Sequence, residues 1–245
     1  MKDHTSASSA PVHPVSGDPN ADPKAPSRIP QWLRMVPVPR RHWTPRYVVN
    51  RLKLAMFQRK HPDYPWLTQD IIEFLIGSLN NSHTLVEFGS GRSTLWFAKR
   101  VGHIISCEHH GEWHASVMQQ LKATGLGNFT YLHVGGEPAT YIAPATKAVA
   151  ERSADGKVDV ILVDGIHRDH CALWALDHIR PGGMILVDNV NWFLPHATHS
   201  PASVGANGQP HTELWAKFWS VVRHWDMKWT SNGVTDTVAF FAPKA

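Results

Sequence analysis

From about residue 63 onward the chain alternates short apolar runs with stretches in which apolar residues recur every three or four positions. The runs 84–88, 104–108, 129–133, 158–163 and 183–188 have the aliphatic and β-branched content of strands buried on both faces. Stretches near 93–100, 112–124 and 169–179 read as the helices between them. Ahead of the first strand, Ile71, Ile72, Leu75, Ile76 and Leu79 fall on one helical face behind Thr68, which predicts a helix capped by that threonine. Such alternation implies a mostly parallel sheet covered by helices on both faces. The pattern changes near the C-terminus. A helix from about Thr212 to Arg223 precedes two apolar runs, Trp225–Thr230 and Val234–Phe241, around Ser231-Asn232-Gly233, a hairpin signature. The Pro-, His-, Gly- and Ser-rich stretch from Asn189 to Pro210 is long enough to serve as a lid or substrate loop.

The first 62 residues follow other rules. Residues 1–30 are rich in Pro, Ser, Ala and Asp without apolar period and read as a disordered tail. Residues 31–62 form a basic, aromatic arm with an expected helix over Pro45–Gln58, and 63–245 form the folded domain. The net charge of +4 comes largely from this arm. Arginines among Trp32, Trp43 and Tyr47 suit an anionic polymer or lipid, but an arm packed on the domain is the preferred reading, and no nucleic-acid partner is expected. No apolar run approaches the ~20 residues of a membrane span, and the N-terminus lacks the order of a secretory signal. The only cysteines, Cys107 and Cys171, have neither metal nor redox spacing, so a reduced, cytoplasmic protein is expected. A homo-oligomer is left open.

The chemistry concentrates at strand ends. Leu85-Val86-Glu87-Phe88-Gly89-Ser90-Gly91-Arg92-Ser93-Thr94 reads as a strand closing on an acid, a glycine turn and a helix start. Glycine permits the tight reversal and close approach of a ligand to the main chain. Ser93 or Thr94 can satisfy free N–H groups of the new helix. Donors beside the acid Glu87 suit a ligand carrying both a carboxylate and a cation better than a pyrophosphate. Glu108 ends the second strand, where a carboxylate can accept two ribose hydroxyls. The fourth and fifth strands end in Asp164-Gly165-Ile166-His167 and Asp188-Asn189. Each has a plainer alternative: Asp164 as a helix cap, Asp188 and Asn189 as turn formers, His167 as a structural partner of Asp169 or His170.

Five parallel strands and a closing hairpin resemble the seven-stranded, Rossmann-like fold of class I S-adenosylmethionine-dependent methyltransferases over roughly residues 63–243. The resemblance implies that Glu87, Gly89, Ser90, Gly91 and Ser93 hold the methionine part of S-adenosylmethionine. It implies that Glu108 holds the ribose, that His109 flanks the adenine, and that Asp164 closes the cofactor site. Within the class, the chain resembles metal-dependent O-methyltransferases of the catechol and sugar types. That likeness implies a divalent cation, Mg²⁺, on Asp164, Asp188 and Asn189, with His167 and Asp164 catalytic and His167 the general base. A small-molecule or sugar hydroxyl would be the acceptor. The competing readings are a metal-free methyltransferase, a non-catalytic binding module using the arm, and a nicotinamide enzyme. The last lacks support, because Thr94 stands where a third glycine would be.

Overall fold

The computed structural model describes residues 43–244. The expected disordered tail, 1–30, and most of the stretch before α1 lie outside the described residues. The elements in chain order are α1 (Pro45–Lys60), α2 (Gln69–Ser78), β1 (Thr84–Phe88), α3 (Arg92–Ala98), β2 (His103–Glu108), α4 (Gly111–Ala123), β3 (Phe129–His133), α5 (Pro138–Arg152), β4 (Val158–Val163), α6 (Arg168–His178), β5 (Ile179–Asp188), α7 (Glu213–Val222), β6 (Asp226–Ser231) and β7 (Asp236–Phe241). A single 3₁₀ turn, Val190–Trp192, follows β5.

The sheet has seven strands in the order β3-β2-β1-β4-β5-β7-β6. The first five are parallel, and β7 runs antiparallel to both β5 and β6. This is the expected Rossmann-like arrangement with its C-terminal hairpin. Strand order reverses between β1 and β4, so the crevice for a ligand opens where those two strands end.

Each face of the sheet carries its own core. Tyr141, Ala145 and Val149 of α5, Cys171 and Ala175 of α6 and Trp215 of α7 bury one face. Ile71, Ile72 and Leu75 of α2, with Trp96, Phe97 and Leu121, bury the other. The central strands are mostly apolar because both of their faces are covered.

Three expectations need correction. The helix α5 was not anticipated. Pro144 lies inside it, and its buried face is made of one large and two small side chains, so the apolar period is faint. The fifth strand begins at Ile179 rather than 183, with a register shift against β4 between Val158 and Val160. Thr68 stands at the N-cap of α2 but makes no side-chain cap. Its hydroxyl pairs with that of Thr230 at 2.5 Å, and its N–H donates to Thr237 Oγ1 at 3.2 Å, pinning α2 to the hairpin. Among the described residues no helix is long and apolar enough to cross a membrane.

Candidate active site

The glycine turn after β1 is built around a buried carboxylate. Glu87 is fully buried. Its Oε2 accepts from Thr94 Oγ1 at 2.6 Å and from Ser106 Oγ at 2.5 Å. Thr94 in turn accepts from the Gly91 N–H at 3.0 Å, so one hydroxyl ties the helix start to the strand end. Glu87 Oε1 has no partner. Burial raises its pKa to about 7, against the pull of the Ser106, Ser93 and Thr94 hydroxyls and with a further push from the Asp164 charge. A buried acceptor without a donor costs free energy until a cationic or N–H group reaches it.

Gly89 takes φ +94°, and a methyl group there would fall 2.5 Å from Gly165 Cα. The loops after β1 and β4 therefore touch backbone to backbone, which only a glycine pair allows. The Tyr141 hydroxyl lies against Gly165, buried and also without a partner.

Glu108, at the end of β2, organises the other half. Its Oε2 accepts from the Ser90 N–H at 3.2 Å and Ser90 Oγ at 2.9 Å. Its Oε1 accepts from the His110 N–H at 2.8 Å and lies 3.2 Å from His109 Nδ1. Ser90 Oγ also meets Tyr131 Oη at 2.6 Å, and Trp113 Nε1 donates to Ser90 O at 2.8 Å.

The ends of β4 and β5 meet at a guanidinium. Asp164 continues the ladder of β4, its N–H donating to Phe88 O at 2.9 Å. Arg168, four residues on in α6, forms an ion pair of 2.8 Å with Asp164 Oδ1. Its Nη1 donates to Asn189 Oδ1 at 2.9 Å and to Asp188 O at 2.7 Å. Asp188 faces elsewhere: its Oδ1 accepts from Thr237 Oγ1 at 2.6 Å. Burial, with the neighbouring Asp164 charge, raises Asp188 to about 7. Asn189 Nδ2 donates to Thr235 Oγ1 at 2.6 Å.

The expected Mg²⁺ set on Asp164, Asp188 and Asn189 therefore does not fit a metal as arranged. Two of its oxygens already accept from Arg168 and the third residue points into the hairpin. A divalent cation needs hard oxygens free to converge on it. Among the described residues no group of three or more His, Cys, Asp or Glu could hold a metal ion.

His167 and Asn189 are both left-handed, at φ 49° and 51°. A histidine in that region is uncommon and persists only where its surroundings hold it. Here His167 Nε2 meets Gly136 O at 2.6 Å. A carbonyl can only accept, so Nε2 carries the hydrogen and Nδ1 of the neutral ring is left as the acceptor. The ring also packs edge-on to Tyr141, with centroids 6.0 Å apart.

The structure thus gathers Glu87, Gly89, Ser90, Gly91, Ser93 and Glu108 on one side of the crevice. Asp164, His167, Asp188 and Asn189 stand at the ends of β4 and β5. Sequence reasoning passed over Arg168, Tyr141 and Thr237, whereas Thr94 satisfies a free N–H of the helix start as expected. Only Arg168 carried a readable signal, its i,i+4 spacing from Asp164. A groove of about 390 Å³, lined by Arg46, Asn50, His196, Trp229 and Asn232 among others, contains none of the expected site residues.

Residues 86–190 match the family model Methyltransf_24, a methyltransferase domain. No curated protein matches the chain. Among solved structures, an rRNA methylase from Streptococcus thermophilus is 11% identical, covering 71% of this chain and 93% of that one at TM-score 0.44. The N-methyltransferase NodS from Bradyrhizobium japonicum is also 11% identical, covering 71% and 93% at TM-score 0.42. A methyltransferase-like protein from Silicibacter pomeroyi is 20% identical, covering 71% and 86% at TM-score 0.43. Structural likenesses this distant say nothing about the acceptor. Residues 86–190 are thus similar to a methyltransferase domain, and they lie on a sheet of the Rossmann-like strand order described above.

Proposed function

We propose that this chain methylates a hydroxyl oxygen of a small molecule, a sugar or an aromatic alcohol, with His167 as general base and residues 63–245 as the catalytic domain. The observation that carries this reading is the anchored His167 ring, whose Nε2 is held by Gly136 O and whose Nδ1 is left to take a proton.

Bound S-adenosylmethionine would supply a methyl carbon already activated by a sulfonium. What remains for the protein is alignment and proton removal, because displacement at carbon depends on placing the acceptor oxygen in line. Glu87 Oε1, the unpartnered carboxylate oxygen, would receive the ammonium of the methionine part. Backbone donors of the Gly89-Ser90-Gly91 turn would receive its carboxylate. Glu108 would hold the ribose, with His109 beside the adenine. His167 would accept the acceptor's proton at Nδ1. No step here runs through a metal, since Arg168 already donates to Asp164 Oδ1 and Asn189 Oδ1, and Thr237 to Asp188 Oδ1. That engagement favours the metal-free form of the reaction over the Mg²⁺-assisted one.

The test is calorimetric titration with S-adenosylmethionine, followed by methyl transfer from labelled cofactor to a panel of sugars and phenols. We expect micromolar binding, and turnover that drops at least about tenfold in His167→Ala with cofactor affinity unchanged. Unaltered turnover in that variant would remove His167 as base. Failure to bind the cofactor would remove the whole reading.

A further inference from the structure

We infer that Arg168 is the resident cation of this site, standing where a divalent metal would bridge the ends of β4 and β5 and holding those ends in its place.

The hydrogen bonds are the argument. A guanidinium has five N–H donors. In Arg168, Nε donates to Gly165 O at 2.9 Å, Nη1 to Asp188 O at 2.7 Å and Asn189 Oδ1 at 2.9 Å, and Nη2 to Asp164 O and Oδ1, both at 2.8 Å. All five donors are satisfied by the loop after β4 and the end of β5. None is left for an acceptor or a cofactor, so Arg168 is a positioning residue and not a catalytic one. Its partners include Oδ1 of Asp164 and Oδ1 of Asn189, one side-chain oxygen from each of two residues a metal would share. The side chain is only 13% exposed, which strengthens the ion pair and leaves little room for a second cation beside it. Arg168 also lies 5.9 Å from the Phe193 ring centroid, which covers it from the loop after β5.

The clamp explains a geometry that nothing else in the site accounts for. Asn189 sits in the left-handed region, held on one side by Arg168 and on the other by Thr235. The loop carrying Gly165 must keep its backbone against Gly89, and Arg168 ties Gly165 O down. One planar cation thereby fixes two loops that a metal with flexible water ligands would hold less rigidly.

The inference does not depend on the acceptor or on methyl transfer, and its first test uses the metal alone. Purified protein without cofactor is titrated with Mn²⁺ and free Mn²⁺ is followed by electron paramagnetic resonance. Wild-type protein should leave the free-ion signal undiminished. Arg168→Met, which keeps much of the side-chain length and removes the charge and donors, should gain saturable Mn²⁺ binding. Adding Asp164→Asn should abolish that gain. A role in packing alone would not create a metal site. Saturable Mn²⁺ binding by wild type, lost in Asp164→Asn, would overturn the inference whatever the other variants do. So would a folded Arg168→Met protein that binds no Mn²⁺. If Arg168→Met does not fold, Arg168→Lys is read instead. Its compact ammonium cannot make all five bonds, and it should show weaker cofactor-loop order, seen as lower S-adenosylmethionine affinity, with still no Mn²⁺ uptake. Unchanged affinity there would count against the clamp.

Discussion

Glu87 is a carboxylate whose Oε2 accepts from two hydroxyls and whose Oε1 has no hydrogen-bond partner in the chain. Burial lifts its pKa to about 7, so near neutrality it titrates between a neutral acid and a charged partner for a cation. If it receives the ammonium of the cofactor, affinity must follow its ionisation. Cofactor affinity should fall as the pH drops through about 7. Glu87→Gln should bind about 10- to 100-fold more weakly at pH 8, the worth of a charged hydrogen bond, and should lose the pH dependence. Calorimetry across that range decides it, and a retained slope in the glutamine variant would assign the titration to another group. The acidity of this position and its glycine turn are visible in the sequence. That one of its oxygens would be left unpartnered is not, because Ser106 and Thr94 come from a different strand and helix.

At the scale of elements, strands were easier to read than the pieces that join them. Both faces of β1, β2 and β4 are buried, so each spells a mostly apolar run. Helix α5 buries only Tyr141, Ala145 and Val149, and that thin stripe with an internal proline hid it. Asn191 and Ser200 both tether the loop after β5 to β7. Asn191 is fully buried; its Nδ2 donates to Pro201 O at 3.1 Å and Ser203 Oγ at 3.2 Å, and its Oδ1 accepts from the Asp236 N–H at 3.1 Å. It ties the loop to the start of β7, beside the crevice. Asn191→Ala should therefore loosen residues 195–211, raising the KM for the acceptor and exposing the loop to limited proteolysis, while cofactor affinity stays the same. Equal protease resistance in both proteins would show that the loop is held by other contacts.

Over the whole molecule, two buried groups make opposite demands on pH. His103 begins β2, its Nε2 2.9 Å from Thr130 Oγ1, and burial together with Arg152 lowers its pKa to about 4. A histidine whose folded pKa lies below its unfolded value of ~6.5 contributes stability at high pH that is lost as the pH falls. Glu87 is shifted the other way. Raised to about 7, it costs stability as the pH rises above its unfolded value, and the cost is complete above its folded one. Between about pH 4.5 and 6.5 the slopes of His103 and Glu87 oppose each other, while Asp188, also raised to about 7, adds to that of Glu87. Relative to wild type, Glu87→Gln should gain stability as the pH rises, reaching on the order of 3 kcal/mol. His103→Gln should gain relative stability as the pH falls. Urea unfolding at several pH values reads both, and differences that do not vary with pH would sink the account.

Local pattern by itself determined the strand-helix alternation, the C-terminal hairpin and the acids and glycines at the strand ends. Each of these is written in residues close in the chain, as period, turn chemistry or strand-terminal position. Only the tertiary structure decided what those strand ends do together. Asp164, Asp188 and Asn189 read as three converging oxygens when each is considered on its own strand. In the fold Arg168 reaches across to two of them and Thr237 claims the third. The partners of a buried polar group come from whichever elements pack beside it, and that packing is set by the sheet order, which no single segment encodes.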